Sequence, residues 1–332
     1  MKRTASHAGS WYSSSRTELD GQLTRWLDAV PASYENGAAL PVSGLKAIIA
    51  PHAGYSYSGP AAAWAYKAID SSRYDRVFVL GPSHHFYLDG CALSSCSSYE
   101  TPLGELPLDS DTISKLEATG EFSAMRRSVD EDEHSIEMHL PYIRKVFEGR
   151  DIRIVPILVG ATSPATELAF GSLLAPYLAD ERTLFVVSSD FCHWGSRFRY
   201  TRYSPASGST INLSSSSPSS AYASRPISAS IEALDREGMA AISFASSASD
   251  VEAVRDGHAA HSRFTSYLER TKNTICGRHP ISVLLAGVGA LQREGDGAAW
   301  DVDFVRYEQS SACSKPSDSS VSYASAICRR LP

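Results

Sequence analysis

The sequence lacks any run approaching the ~18 apolar residues that a bilayer span requires, so no membrane span is expected. It also lacks a dense patch of positive charge. The 31 Lys and Arg face 37 Asp and Glu, a formal charge of −6, which disfavours a protein that tracks phosphate backbones; nucleic acid is not expected as a partner. Cysteine is sparse: Cys91, Cys96, Cys192, Cys276, Cys313 and Cys328 form no CxxC pair and no dense framework. Free thiols in a reducing cytosol are the expectation. The opening "MKRTASHAGSWYSSS" has no apolar h-region, so no secretory signal is expected; the expected location is the cytoplasm, with the nucleus as a second. Repeats are absent apart from a His-Ala-Gly shared by His7 and His52. At 43% apolar and 20% charged the chain is ordinary for a globular protein, and residues 1–332 are read as one domain.

Four short apolar runs are present, too brief and too β-branched for helices: "LKAIIA" (45–50), "RVFVLG" (76–81), "IRIVPILVG" (152–160) and "LFVVSS" (184–189). Continuous apolarity over such lengths suits strands buried on both faces of a sheet. Between them lie helical candidates, "GPAAAWAYKAI", "SIEMHLPYIRKVFEG" and "PATELAFGSLLAPYLA", and a first helix is expected from Ser15 and Glu18 at capping-box spacing followed by Leu19, Leu23, Trp26, Leu27 and Val30. Alternation of this kind predicts an α/β fold with a mostly parallel central sheet flanked by helices. "DVDFVRYEQ" is expected to add an edge or antiparallel strand, and the terminal "CRRLP" to fray. Residues 204–230, rich in Ser and Pro and poor in large apolar groups, are expected to form a flexible surface insertion.

In a parallel α/β sheet ligands bind where the strands end. The first run continues into "PHAGY", the second into "PSHH" and the fourth into "DFCHWG", so His52, His84 with His85, and Asp190 with His193 are all expected at one edge. One imidazole after a strand is unremarkable; three strands delivering imidazoles, one with a carboxylate, point to a metal site. Asp190 and His193 are three apart, as on one side of a helical turn. Cys192 between them is expected to be a small buried group. Cys276, in "NTICGRHPIS" between two helical stretches, sits at a turn that Gly277 and Pro280 permit. "VDEDEHSIEMHLPY" reads either as an acidic helix start or as a segment presenting His134 and Glu137 to support the ligands or move protons. Its "HSIEMH" is not the zincin HExxH. A Cys276 nucleophile with His193 as base would make a hydrolase, but no activated-nucleophile pattern accompanies it, and "GYSYSG" lacks the elbow spacing of serine esterases.

These motifs, with "SHAGSWY" and "DSSVSYASA", closely resemble the Memo family, named for a mediator of receptor-driven cell motility, over roughly residues 5–327. The resemblance implies a fold similar to class III extradiol non-haem iron dioxygenases. It implies metal ligands at His52, His84, Asp190, His193 and Cys276; Cys276 joins the set through the resemblance. It further implies iron or copper as the cofactor and oxidoreductase chemistry that includes superoxide formation; zinc is the alternative that the ligand types themselves leave open. Binding of phosphotyrosine-containing signalling partners in the same cleft is the second implication, and would make the protein a scaffold that does not turn over.

Overall fold

The structure, a computed structural model, describes residues 1–245, 256–295 and 298–331. The principal sheet contains β1 (Leu45–Ala50), β2 (Arg76–Pro82), β3 (Cys91–Ser94), β4 (Phe122–Met125), β5 (Arg153–Val159), β6 (Thr183–Ser188), β7 (Asp190–Trp194), β8 (Phe244–Ala245), β9 (Ala299–Gln309) and β10 (Ser320–Leu331). Its order is β8-β9-β10-β1-β6-β2-β5-β3-β4, with β7 pairing β10 off that path. The four runs read from sequence are the parallel centre, β1-β6-β2-β5. Nearly all of their side chains are buried, as the unbroken Val, Ile, Leu and Phe content requires of strands covered on both faces. Both flanks turn antiparallel, β10 against β1 and β3 against β5.

Helices cover the two faces. Tyr55–Lys67 packs on β1 and β10, while Pro164–Ala179 and Arg278–Glu294 pack together over β2 and β6. The last two approach closely because Gly171 has no side chain; a Cβ there would lie 2.4 Å from that of Ala286. Ser15 caps Arg16–Ala29 through Glu18 N–H, but the Glu18 carboxylate takes the Ser13 hydroxyl at 2.7 Å, so only half of the capping box forms. "SIEMHLPYIRKVFEG" is two helices, His134–Glu137 and Leu140–Val146, with Pro141 in the first turn of the second, where its missing N–H costs nothing.

"DVDFVRYEQ" lies in β9, antiparallel to β10. The expectation of a frayed C-terminus is corrected for 328–331: Cys328 to Leu331 continue β10, and Cys328 is buried between Ala47 and Val302. The small residues of "SVSYASAI" pack at the centre of the sheet but dilute the hydrophobic pattern that announces a strand. Of residues 204–230 most are exposed, although Leu213 and Ile227 are buried and the Ile227–Ile242 helix begins within them. Among the described residues no helix is long and apolar enough to cross a membrane.

Candidate metal centre

β1, β2 and β6 end at Ala50, Pro82 and Ser188, and His52, His84 and Asp190 each follow two residues later. Parallel register, with Ala50 beside Ser188 and Leu80 beside Val187, brings the three ends to one edge. Asp190 and His193 share a side for a different reason from the helical turn expected. They belong to β7, where Asp190 opposes Tyr323 and His193 opposes Val321. Three steps on one strand against two on its neighbour is a bulge, and the extra residue turns both side chains to the same face. Cys192 faces away and is buried.

Cys276 arrives from the opposite side, in the turn between the Gly257–Thr271 and Arg278–Glu294 helices. Gly277 lets that turn press on the sheet edge, since a Cβ there would lie 2.2 Å from the Ser188 carbonyl oxygen. The Cys276 Sγ consequently sits 3.1 Å from His52 Nε2 and accepts the Asp190 N–H at 3.2 Å. Potential ligand atoms of His52, His84 and Cys276 lie within 4.8 Å of one another, as do those of Asp190, His193 and Cys276.

The hydrogen bonds fix which nitrogen each ring presents. Ser188 Oγ donates its only proton to the Ser135 carbonyl at 2.8 Å, so at 2.6 Å from His52 Nδ1 it can only accept. His193 Nδ1 faces the carbonyl oxygens of Phe191 and Thr274 at 2.9 and 3.0 Å, which are acceptors only. His84 Nδ1 faces the Glu133 carboxylate at 2.9 Å. All three imidazoles therefore carry a proton on Nδ1, with Nε2 the nitrogen left for a ligand. Asp190 Oδ1 accepts the N–H groups of His52 and Ala53 at 2.9 and 3.3 Å; Oδ2 makes no hydrogen bond among the described residues.

Electrostatics follow from burial. His52 is held well below the ordinary histidine range by burial and then by the neighbouring imidazoles of His84, His134, His139 and His193, so it stays neutral. Burial raises the Asp190 carboxyl against the opposing pull of His193 and the two amides. Burial, reinforced by Asp190, pushes the Cys276 thiol well up.

His134 faces the centre: its ring stacks on His84 at 4.4 Å, stands edge-on to His52 at 5.4 Å and is covered by Trp11 at 4.4 Å. Burial lowers it to about 3. Glu137, expected beside it, is turned elsewhere. Its carboxylate accepts from Arg3 Nη1, the His7 N–H and ring, and Tyr12 Oη, at 2.7 to 2.8 Å. Burial opposes its ionisation, but the bonds from His7 and the charge of Arg3 prevail and hold it at about 2. Saturated in this way, Glu137 fastens residues 3–12 to the wall of the site and has no free oxygen for proton transfer.

Four contributors escaped the sequence reading: Glu133, Ser188, Thr274 and Trp11. Glu133 was hidden in an acidic run, although its place two residues before Ser135, whose N–H it caps at 2.9 Å, was a usable helix-start signal. Ser188 and Thr274, which donates its hydroxyl to the His193 carbonyl and accepts the His193 N–H, carry no local signature. Trp11 lies far from the centre in sequence and is brought to it by the Glu137 anchorage and by the Tyr55 N–H, which donates to its carbonyl at 2.9 Å.

The family model described as Memo-like protein matches residues 3–327. The proteins named Protein MEMO1 from Homo sapiens and Xenopus laevis are each 46% identical over 324 residues, which cover 97% of this chain and 95% of theirs. The Protein memo-1 homolog of Caenorhabditis elegans is 42% identical over 325 residues, covering 98% of this chain and 82% of that protein. Among solved structures, an uncharacterised protein of Escherichia coli K12 aligns with a TM-score of 0.45 and 14% identity, over 84% of this chain and 98% of that one. The chain belongs to the Memo family.

Proposed function

We propose that the chain is a metal-binding redox protein that holds one iron or copper ion between His52, His84, Asp190, His193 and Cys276. The observation that carries this reading is the common disposition of the three rings, each with Nδ1 engaged by an acceptor so that Nε2 is the nitrogen left for an ion. A thiol at 3.1 Å from one of those nitrogens and a carboxylate oxygen without a hydrogen bond complete a donor set of mixed hardness. Imidazoles with a carboxylate suit non-haem iron(II), and an added thiolate suits copper(I) or softens iron, so the set fits an ion with two accessible oxidation states. A structural zinc site is usually closed and richer in cysteine.

A bound ion of this kind supplies one-electron transfer to dioxygen, the chemistry that yields superoxide. The chain does the rest. Ser188, relayed to the Ser135 carbonyl, keeps His52 oriented; Glu133 does the same for His84, and the Thr274 and Phe191 carbonyls for His193. Cys276 gives up its proton on ligation, so uptake strengthens as pH rises. Trp11 and His134 screen one side of the site from water.

The test is metal content together with oxygen consumption in the purified protein, repeated in His52→Ala and Cys276→Ser. Loss of both in the two variants supports the reading. Full metal content in both variants would overturn it. The scaffold reading draws on exposed aromatic side chains of the segment that follows His84, Phe86 and Tyr87. It requires a phosphotyrosine peptide to bind metal-free protein and to lose affinity in His52→Ala.

A further inference from the structure

The pattern around His84 does not end at Glu133. His134 Nδ1 is buried and makes no hydrogen bond among the described residues, although Glu133 Oε1 lies 3.5 Å away. The same Glu133 oxygen is 2.9 Å from His84 Nδ1. An orphaned buried nitrogen is costly unless something outside the protein satisfies it. Potential ligand atoms of His84, Glu133 and His134 fall within 4.8 Å of one another, a grouping separate from those built on Cys276.

The spacings suit a cation. Donors bonded at about 2.0–2.2 Å to one ion stand roughly 2.9 Å apart at a right angle and roughly 3.5 Å apart near the tetrahedral angle. The two separations measured from Glu133 Oε1 are 2.9 and 3.5 Å. Glu133 Oε2 is held by the His84 N–H at 2.7 Å and its Oε1 by the Ser135 N–H at 2.9 Å, so the carboxylate is already positioned. Trp11 over His134 closes one side.

We propose that His84, Glu133 and His134 form a second cation site, for a divalent ion of the zinc or copper(II) class, adjoining the first. His84 is the shared group: its Nε2 faces the first site and its Nδ1 the second. When the second ion is absent, a proton on Nδ1 occupies its place against Glu133. When the ion enters, that proton leaves to solvent and the ring bridges two ions as an imidazolate. The proposal rests on the first site through His84, which both sites share, and through Glu133, which holds that ring; His134 ligates in the second site alone, and His52, Asp190, His193 and Cys276 in the first alone.

The experiment is a titration of the metal-free full chain with Zn2+, read as tightly bound ions per chain after desalting, in wild type, Glu133→Gln, His134→Asn and His52→Ala. The expected result is two ions in wild type and one in each variant. Copper(II) loading of wild type then gives an electron paramagnetic resonance signal broadened or silenced by coupling between two ions, restored to an isolated-ion spectrum in His134→Asn. One ion in wild type that persists in His134→Asn and Glu133→Gln but is lost in His52→Ala overturns the second site and leaves the first standing. One ion that persists in His52→Ala and is lost in His134→Asn overturns the first site instead. No tightly bound ion in wild type overturns both. Circular dichroism of each variant shows whether it folds, and Glu133→Gln, which keeps the cap on Ser135, serves where His134→Asn does not fold.

Discussion

Replacing Gly277 by alanine puts the proposed convergence under direct strain. The φ of Gly277 is −84°, open to any residue, so the requirement for glycine is one of space. The new Cβ would lie 2.2 Å from the Ser188 carbonyl oxygen and 2.3 Å from Ser189 Cβ, where ordinary contact begins at 3.4 Å. Neither neighbour is the loose end of a flexible side chain, so the turn must retreat by about 1 Å. That retreat strains the Gly277 N–H bond to Ser189 Oγ, 3.2 Å, and moves Cys276 Sγ away from its 3.1 Å approach to His52. The stability cost is about 2 kcal/mol, as for other overpacked interiors. Loss of the thiolate from the donor set lowers metal affinity at least tenfold, or about 1.4 kcal/mol. Urea unfolding of the metal-free protein reads the first effect. Anaerobic titration with Co2+ reads the second, through the near-ultraviolet band that thiolate ligation produces. A Gly277→Ala protein that unfolds at the wild-type urea concentration and shows an undiminished thiolate band would refute the reasoning.

Three further outcomes are expected. Arg3→Ala leaves Asp130 and Glu137, both buried and bonded to Arg3 at 2.9 and 2.7 Å, without their cation, and should cost about 3–5 kcal/mol in chemical denaturation; a loss under 1 kcal/mol, within the range of an exposed pair, would contradict the burial assigned here. Glu137 is held at about 2 in the folded protein against 4.5 when free, so its contribution is complete above pH 4.5 and drains away as pH falls toward 2. It amounts to about 3 kcal/mol, and Glu137→Gln should flatten that part of the stability–pH curve. Ser188→Ala removes the acceptor for His52 Nδ1–H, and nitrogen-15 shifts of the metal-free protein should then show His52 with mixed tautomers; an unchanged Nδ1–H form would mean that another group fixes the ring.

The centre of the fold was legible in sequence because its four strands are buried on both faces and announce themselves as unbroken apolar runs. β10 was not, since serine and alanine dominate a strand that must fit beneath a helix and beside β7. The approach of His52, His84 and Asp190 was likewise readable, because each follows its strand by the same two residues and parallel register does the rest. His193 was placed on the right side for the wrong reason: a bulge and a helical turn both bring residues three apart to one face, and spacing alone cannot separate them. The roles of Glu133, Ser188 and Trp11 depend on contacts between segments distant in the chain, for which sequence offers no period to read. Glu137 shows the converse, a residue of the right chemistry beside the right histidine that the N-terminal segment claims entirely.

The most direct measurement of whether one ion joins these segments is X-ray absorption at the metal edge of protein isolated anaerobically from its native cells. A redox-active metal whose nearest shell holds imidazole nitrogen, oxygen and one sulfur is the predicted spectrum, with the sulfur gone in Cys276→Ser. Protein that retains no metal, or a metal whose shell contains no sulfur and is unchanged in Cys276→Ser, would contradict it.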